Sequence, residues 1–393
     1  MNVVVVGSGY VGLTSGVALA YIGHRVVCVD QDEAKVELLR AGRLPIHEPG
    51  LEELLGQVGA RLRFTCALEE AMRGAELIML AVGTPASADG SPDLTHLHAA
   101  AAEVLGHLAA SGQAAVLINK STAPVGTADR IREMARRLGV AGRVAVGTNP
   151  EFLRQGHALQ DTLYPERLVA GGDAQAVAMM RTLYAPLLEQ RFTPPAHLPR
   201  PAQRGEVPLL TADARSAELA KYAANAFLAM KISFINEIAN VCDRVGADVQ
   251  TVAGIIGADR RIGGAFLQAG IGYGGSCFPK DTRALRSIAD TSGYDFKLLS
   301  AVIEVNNAQK FRLVELLHRR LGSLQGKPVA VLGLTFKPGT DDLREAPSLP
   351  VIAALAAAGA QVTAHDPVAA AKAAPLLPPG VRLAESAEAA LRG

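Results

Sequence analysis

Along the first 150 residues, short β-branched runs alternate with longer helical stretches, an order that predicts a parallel sheet wrapped by helices. Strands are expected over 2–6, 25–29, 77–81, 115–119 and 144–147. The stretch 192–208 carries five prolines and little periodicity, so it reads as an irregular connection between domains. Beyond it, 212–245 keeps helix-forming residues with no Gly or Pro before Gly246. One long helix is expected there, roughly 50 Å at about 1.5 Å per residue. Helical patterning continues through 310–321, and then the alternation returns: a strand over 329–332, a helix near 349–358, and a strand over 361–364 followed closely by Asp366. The N-terminus has the same order of strand, glycine turn, helix and a strand ending in Asp30. A second, degenerate nucleotide-binding-like domain is therefore expected.

Length and composition add bounds. A chain of 393 residues exceeds what one compact core accommodates, so two or three domains are the expectation. Hydrophobic residues make up 49% of the chain, and 39 Lys and Arg balance 38 Asp and Glu, as in an ordinary soluble globular protein. The basic residues are spread out, so no nucleic-acid footprint shows. Apolar runs end at Gly well short of the roughly 20 residues of a membrane span. Met1-Asn2 leads straight into strand-like Val3-Val4-Val5-Val6 without a basic leader, which favours the cytoplasm. Cys28, Cys66, Cys242 and Cys277 are far apart and form no CxxC pair, suggesting neither a zinc site nor a disulfide framework.

Two segments carry chemistry. Gly7-Ser8-Gly9-Tyr10-Val11-Gly12 follows the first strand and opens a helix, the context in which such a turn cradles a pyrophosphate at a helix N-terminus. Asp30, ending the second strand, would bond ribose hydroxyls and repel a 2′-phosphate, so NAD is expected over NADP. The bland alternative is a glycine turn that binds nothing. Gly272-Tyr273-Gly274-Gly275-Ser276-Cys277-Phe278-Pro279-Lys280-Asp281 leaves backbone amides open before a cysteine and sets both charge types beside it. A nucleophilic thiol benefits from such surroundings. Cys28, Cys66 and Cys242 read instead as small buried hydrophobes. Lys221 and Asn225 lie four apart on the long helix and project from one face. Lys120-Ser121-Thr122 and Asn149-Pro150-Glu151-Phe152-Leu153-Arg154-Gln155 each follow a strand end, where open parallel sheets place ligands.

Taken in order, these motifs and Phe336-Lys337-Pro338-Gly339-Thr340-Asp341-Asp342-Leu343-Arg344-Glu345 resemble the UDP-glucose and GDP-mannose 6-dehydrogenase family over essentially the whole chain. The resemblance implies an α/β fold with an N-terminal Rossmann NAD-binding domain (1–205), a long central helix within a helical dimerisation domain that carries Cys277 (206–320), and a C-terminal Rossmann-like domain for the UDP-sugar (321–393). It implies NAD as cofactor, UDP-glucose as substrate and a homodimer through the central helix. Oxidation of a primary alcohol to a carboxylate in two hydride transfers is the implied reaction. By the same resemblance, Cys277 receives the sugar aldehyde and later carries the thioester, Lys221 stabilises oxyanions with Asn225 beside it, Thr122 and Asp281 hold a water, and Glu151 serves thioester hydrolysis. Glu151, Phe152, Leu153, Arg154, Lys221, Asn225, Tyr273, Gly274, Gly275 and Lys337 correspond to substrate contacts. Arg261 corresponds to an arginine that reaches the neighbouring subunit's substrate. Gly7, Gly9, Tyr10, Val11, Gly12, Asp30, Lys35, Thr84, Pro85, Ser121, Thr122, Gln155 and Arg344 correspond to cofactor contacts.

Two departures stand out. Gln155 occupies a place where many members have a second glutamate, which removes a candidate base. Family chains also run on past residue 393, so the C-terminal domain is expected to be incomplete, with an unpaired sheet edge and exposed apolar positions such as Val362. GDP-mannose is the rival substrate. A two-electron 3-hydroxy-acid dehydrogenase, and a truncated NAD-binding dimer without activity, are the more distant readings.

Overall fold

A computed structural model describes residues 1–87, 89–203 and 205–392, and it divides the chain into two compact units, Met1–Lys221 and Tyr222–Gly393. The chain passes from one to the other inside a single helix, Ala214–Val245.

The first unit holds an eight-stranded sheet. Its strands are β1 (Asn2–Val6), β2 (Arg25–Val29), β3 (Leu62–Thr65), β4 (Leu77–Leu80), β5 (Ala115–Asn119), β6 (Val144–Thr148), β7 (Leu168–Gly172) and β8 (Leu209–Ala212), in the spatial order β3-β2-β1-β4-β5-β6-β7-β8. Every pairing is parallel except β6 with β7. Strand alternation explains why β1 is apolar throughout: Val3 and Val5 join a core with Leu13 and Val17, while Val4 and Val6 join another with Leu97 and Leu105. Each such side chain contributes about 1.5–3 kcal/mol on burial.

Some sequence expectations need correction. Residue 81 lies just past β4, and β6 extends to Thr148. Ala212 belongs to β8, so the long helix starts at Ala214. Among the described residues, 192–208 is free of helix and strand, as its prolines predict.

In the second unit, the helix Lys297–Leu321 contains the segment expected over 310–321. A parallel sheet follows, β9 (Pro328–Leu332), β10 (Gln361–His365) and β11 (Arg382–Leu383), in the order β11-β10-β9. The returning alternation thus marks a real α/β unit. A third strand, β11, pairs with β10, and Val362, expected to be exposed, is 2% exposed in a core with Val351, Ile352 and Leu355. Among the described residues, no helix is long and apolar enough to cross a membrane.

Candidate active site

The glycine turn after β1 is shaped by contacts no other residue tolerates. Gly7 has φ +100°, and a Cβ on it would meet the Ala81 carbonyl oxygen at 2.6 Å. A Cβ on Gly12 would sit 1.9 Å from the Gly7 oxygen, which is what lets the helix Tyr10–Tyr21 press against the turn. Gly9, by contrast, faces open space and leaves the helix N-terminus without a side-chain cap. Open amides at a positive helix end suit a pyrophosphate.

The turn borders a cleft of about 330 Å³ lined by Gly7, Gly9, Asp30, Lys35, Leu68 and His96 among others. Asp30 Oδ2 accepts from the Ser8 amide at 2.8 Å and Lys35 Nζ lies 3.0 Å away. Lys35, expected at the cofactor, is paired with Asp30, the acid expected to bond the ribose. Tyr10 directs its hydroxyl to Glu48, whose carboxylate also takes the amides of Gly156 (2.7 Å) and Leu159 (3.2 Å). Burial pushes the Glu48 carboxyl above its usual range. Cys66, read from sequence as a buried hydrophobe, is exposed and lines the cleft. Cys28 is core, and burial raises its thiol to about 12.

A second cluster in the same unit forms where β4, β5 and β6 end, the carboxyl edge at which open sheets bind ligands. Thr84 donates to the Thr122 carbonyl at 2.7 Å, and Ser121 donates to the Val82 carbonyl at 2.8 Å, lacing two loops together. Pro85 is exposed beside them. Glu151 and Lys221 are both buried and their charges meet at 3.0 Å. The Leu153 amide adds a 2.6 Å bond to Glu151 Oε2. Burial alone would raise the Glu151 carboxyl, yet Lys221, the Leu153 amide and Lys120 outweigh it and hold it below the ordinary range. The Phe152 ring has the Arg167 guanidinium 4.0 Å and the Lys221 ammonium 5.5 Å from its centre. Arg154 turns away, 58% exposed and fork-bonded to Asp161.

Sequence reasoning missed three buried groups here. Glu48 has just been described. Glu218 takes the amides of Gly126 (2.7 Å) and Ala128 (2.9 Å), fastening the loop after Thr122 to the helix of Lys221. Lys120 belongs to a motif in the sequence, Lys120-Ser121-Thr122, that gives it no role of its own. Their partners lie far away in sequence, so no local pattern flags them.

In the second unit, Cys277 sits half-buried at the N-cap of the helix Phe278–Thr291. Asp281, 1% exposed, accepts from Asn225 Nδ2 at 2.6 Å and from Lys280 Nζ at 2.6 Å. The glycines before the thiol are required: a Cβ on Gly274 would meet the Glu345 carbonyl at 2.1 Å, and Gly275 (φ +84°) would drive one into the Phe336 ring. Gly275 also donates its amide to the Arg344 carbonyl at 2.9 Å. The Arg344 guanidinium is raised above its usual range, first by its bond to Asp342, and Cys277 is among the groups that act on it. Arg344, expected at the cofactor, thus has its carbonyl bonded to Gly275, two residues before the thiol, and its charge within reach of Cys277. Tyr273 bonds Asn306 through its backbone on both sides, and Lys337 lies 5.5 Å over its neighbour Phe336. Arg261 is 89% exposed and paired with Asp259.

An uncapped helix behind a turn that only glycine can make has one common use, and NAD fits it. With the acid at the tip of the second strand, the turn places the chain among dinucleotide-dependent dehydrogenases. Comparison with known proteins narrows the class. The NAD-binding domain of the UDP-glucose/GDP-mannose dehydrogenase family matches residues 1–188, its central domain 215–308 and its UDP-binding domain 330–393. The chain belongs to this family. It is 45% identical to a UDP-glucose 6-dehydrogenase of Bacillus subtilis, over 100% of this chain and 86% of the relative. It is 48% identical to one of Pseudomonas aeruginosa, over 98% and 83%. A UDP-glucose dehydrogenase structure from the archaeon Pyrobaculum islandicum superposes with TM-score 0.91 at 41% identity, covering 99% of this chain and 87% of that one.

Proposed function

We propose that the chain oxidises UDP-glucose to UDP-glucuronate in two hydride transfers, with Cys277 as the covalent nucleophile. The observation that carries this reading is the setting of Cys277: a half-buried thiol on a helix start, with Arg344 near it and the Asn225–Asp281–Lys280 chain behind it. The relatives' names favour UDP-glucose over GDP-mannose.

Bound NAD supplies the hydride acceptor in each oxidation. This chain's residues supply the rest. Lys221 donates to the developing oxyanion, a contribution of roughly 2.7–4 kcal/mol for one such donor. Cys277 adds to the C6 aldehyde and makes a thiohemiacetal, which after the second oxidation is a thioester. Glu151, held as a carboxylate, takes a proton from the water that cleaves the thioester, returning the thiol and releasing the acid. Thr122 and Asp281 orient water, and the backbone of Glu151, Phe152, Leu153 and Arg154, with Tyr273, Gly274, Gly275 and Lys337, contacts the sugar nucleotide. A cofactor and substrate of this kind belong to the cytoplasm, the compartment we assign.

The reading is tested with Glu151→Gln. Slow turnover with a burst of NADH and a covalent adduct on Cys277, read by mass spectrometry, is expected; equally slow turnover with neither burst nor adduct would move Glu151 to an earlier step. Assembly as a homodimer is supported by Phe227, Phe234 and Val241, exposed at seven-residue intervals on the long helix. Phe234→Asp should yield monomers in sedimentation, and an unchanged species would place the interface elsewhere.

A further inference from the structure

We propose that Lys120 is a positioning residue for Glu151: its ammonium, anchored on Asn149, fixes the root of the turn that carries Glu151 and supplies a second buried cation for that carboxylate besides Lys221. The inference rests on the reading of Glu151 as the hydrolytic base. Lys120 directly follows β5 and is 7% exposed, an unusual place for a lysine without a carboxylate partner. Among the described residues, none lies within ion-pairing distance of its Nζ, which donates instead to Asn149 Oδ1 at 2.8 Å. That oxygen also takes the Tyr184 hydroxyl at 2.7 Å, and Asn149 Nδ2 donates to the Val169 carbonyl at 2.7 Å. Asn149 is fully buried and so rigidly held two residues ahead of Glu151.

The charged and titratable groups around this point are few. Glu151 and Lys221 act on Lys120, Tyr184 is kept neutral by burial, and Arg167 lies over the ring of Phe152. Burial lowers Lys120 to about 8, with Glu151 opposing and Lys221 adding to the fall. Its charge is therefore present below about pH 8, throughout the range in which a carboxyl titrates. Two buried cations thus act on one buried carboxylate, Lys221 in contact with it and Lys120 from farther off. Lys221 must also serve the substrate oxyanion, so Lys120 is the cation whose field on Glu151 does not change during the cycle.

The test reads Glu151 directly. Its carboxyl is titrated by difference infrared spectroscopy in the intact protein, using Glu151→Gln to identify the band. Lys120→Met and Lys120→Gln, the second retaining a donor to Asn149, should raise the midpoint by about one pH unit, the lower end for losing a nearby opposite charge. Lys120→Arg should restore it. The acid limb of kcat should move with the midpoint, while KM for UDP-glucose stays within about twofold. An unmoved midpoint in both neutral variants overturns the inference. A moved midpoint with an unmoved kcat limb upholds it and removes Glu151 from the role of base.

Discussion

Two turns in this chain are built on one plan and do different work. After β1 the Gly7 amide bonds the last carbonyl of β2 (Val29, 2.7 Å), and the acid one residue on, Asp30, takes the next amide of the turn (Ser8, 2.8 Å). After β9 the Gly333 amide bonds the last carbonyl of β10 (His365, 2.8 Å), and Asp366 takes the Leu334 amide at 2.8 Å. From there they diverge. The first turn continues through an unobstructed Gly9 directly into a helix, and Asp30 borders a cleft. The second continues through Thr335, whose hydroxyl bonds the Lys337 carbonyl, and no helix begins until Ser348. Asp366 is consumed by the amides of Leu334, Thr335, Val368 and Ala369. An acid at the second strand tip is therefore a structural clamp unless a glycine and a helix start leave something for a ligand to bond.

The largest expected effect is on the first turn. Gly12→Val should weaken NAD binding by at least about 100-fold, near 2.7 kcal/mol, because its Cβ would overlap the Gly7 oxygen. Gly333→Ala meets nothing within 4 Å and carries only the left-handed strain of φ +91°, about 1–2 kcal/mol of stability, with NAD affinity intact. Comparable losses of NAD affinity by calorimetry in both variants would erase the distinction.

Asp366→Asn comes next, at about 2 kcal/mol of stability from bonds to a charged acceptor. Burial would raise this carboxyl, but its four amide donors prevail and lower it. A lowered folded pKa means that the stabilisation is present above the ordinary aspartate value of about 3.9 and is lost as pH falls through the lower folded value. The gap in melting temperature between the parent and Asp366→Asn should therefore close on acidification. A gap that widens in acid contradicts the clamp.

Smallest is Asp30→Ser, with a roughly tenfold rise in KM for NAD, about 1.4 kcal/mol, and a relative gain for NADP. Lys35, 3.0 Å from Asp30, would then be released toward a 2′-phosphate. Unchanged cofactor preference would show that Asp30, like Asp366, is only a clamp.

Much of the first turn was legible because its signals are local: β1, a glycine pattern and an acid at a fixed distance. The buried strands β2 and β5 were legible for the same reason, each a short apolar run. β3 and β7 escaped, since Arg63 interrupts the one and Gly171-Gly172 end the other, while antiparallel pairing of β7 leaves no mark in sequence. The Cys277 segment announces itself through its glycines, but what they make room for, the Glu345 carbonyl and the Phe336 ring, lies about 60 to 70 residues on. Glu48 and Glu218 reach partners 108 and 92 residues away, distances over which periodicity carries no information. The resemblance points Arg344 at the cofactor, and only folding reveals that its carbonyl holds the Gly275 amide.

The central claim is that a thiol converts a two-electron dehydrogenase into a four-electron one, and it is tested most directly by counting. With UDP-glucose limiting and NAD in excess, the account predicts two NADH formed per UDP-glucose consumed, with UDP-glucuronate the sole product. One NADH per UDP-glucose, with the aldehyde released, would contradict it.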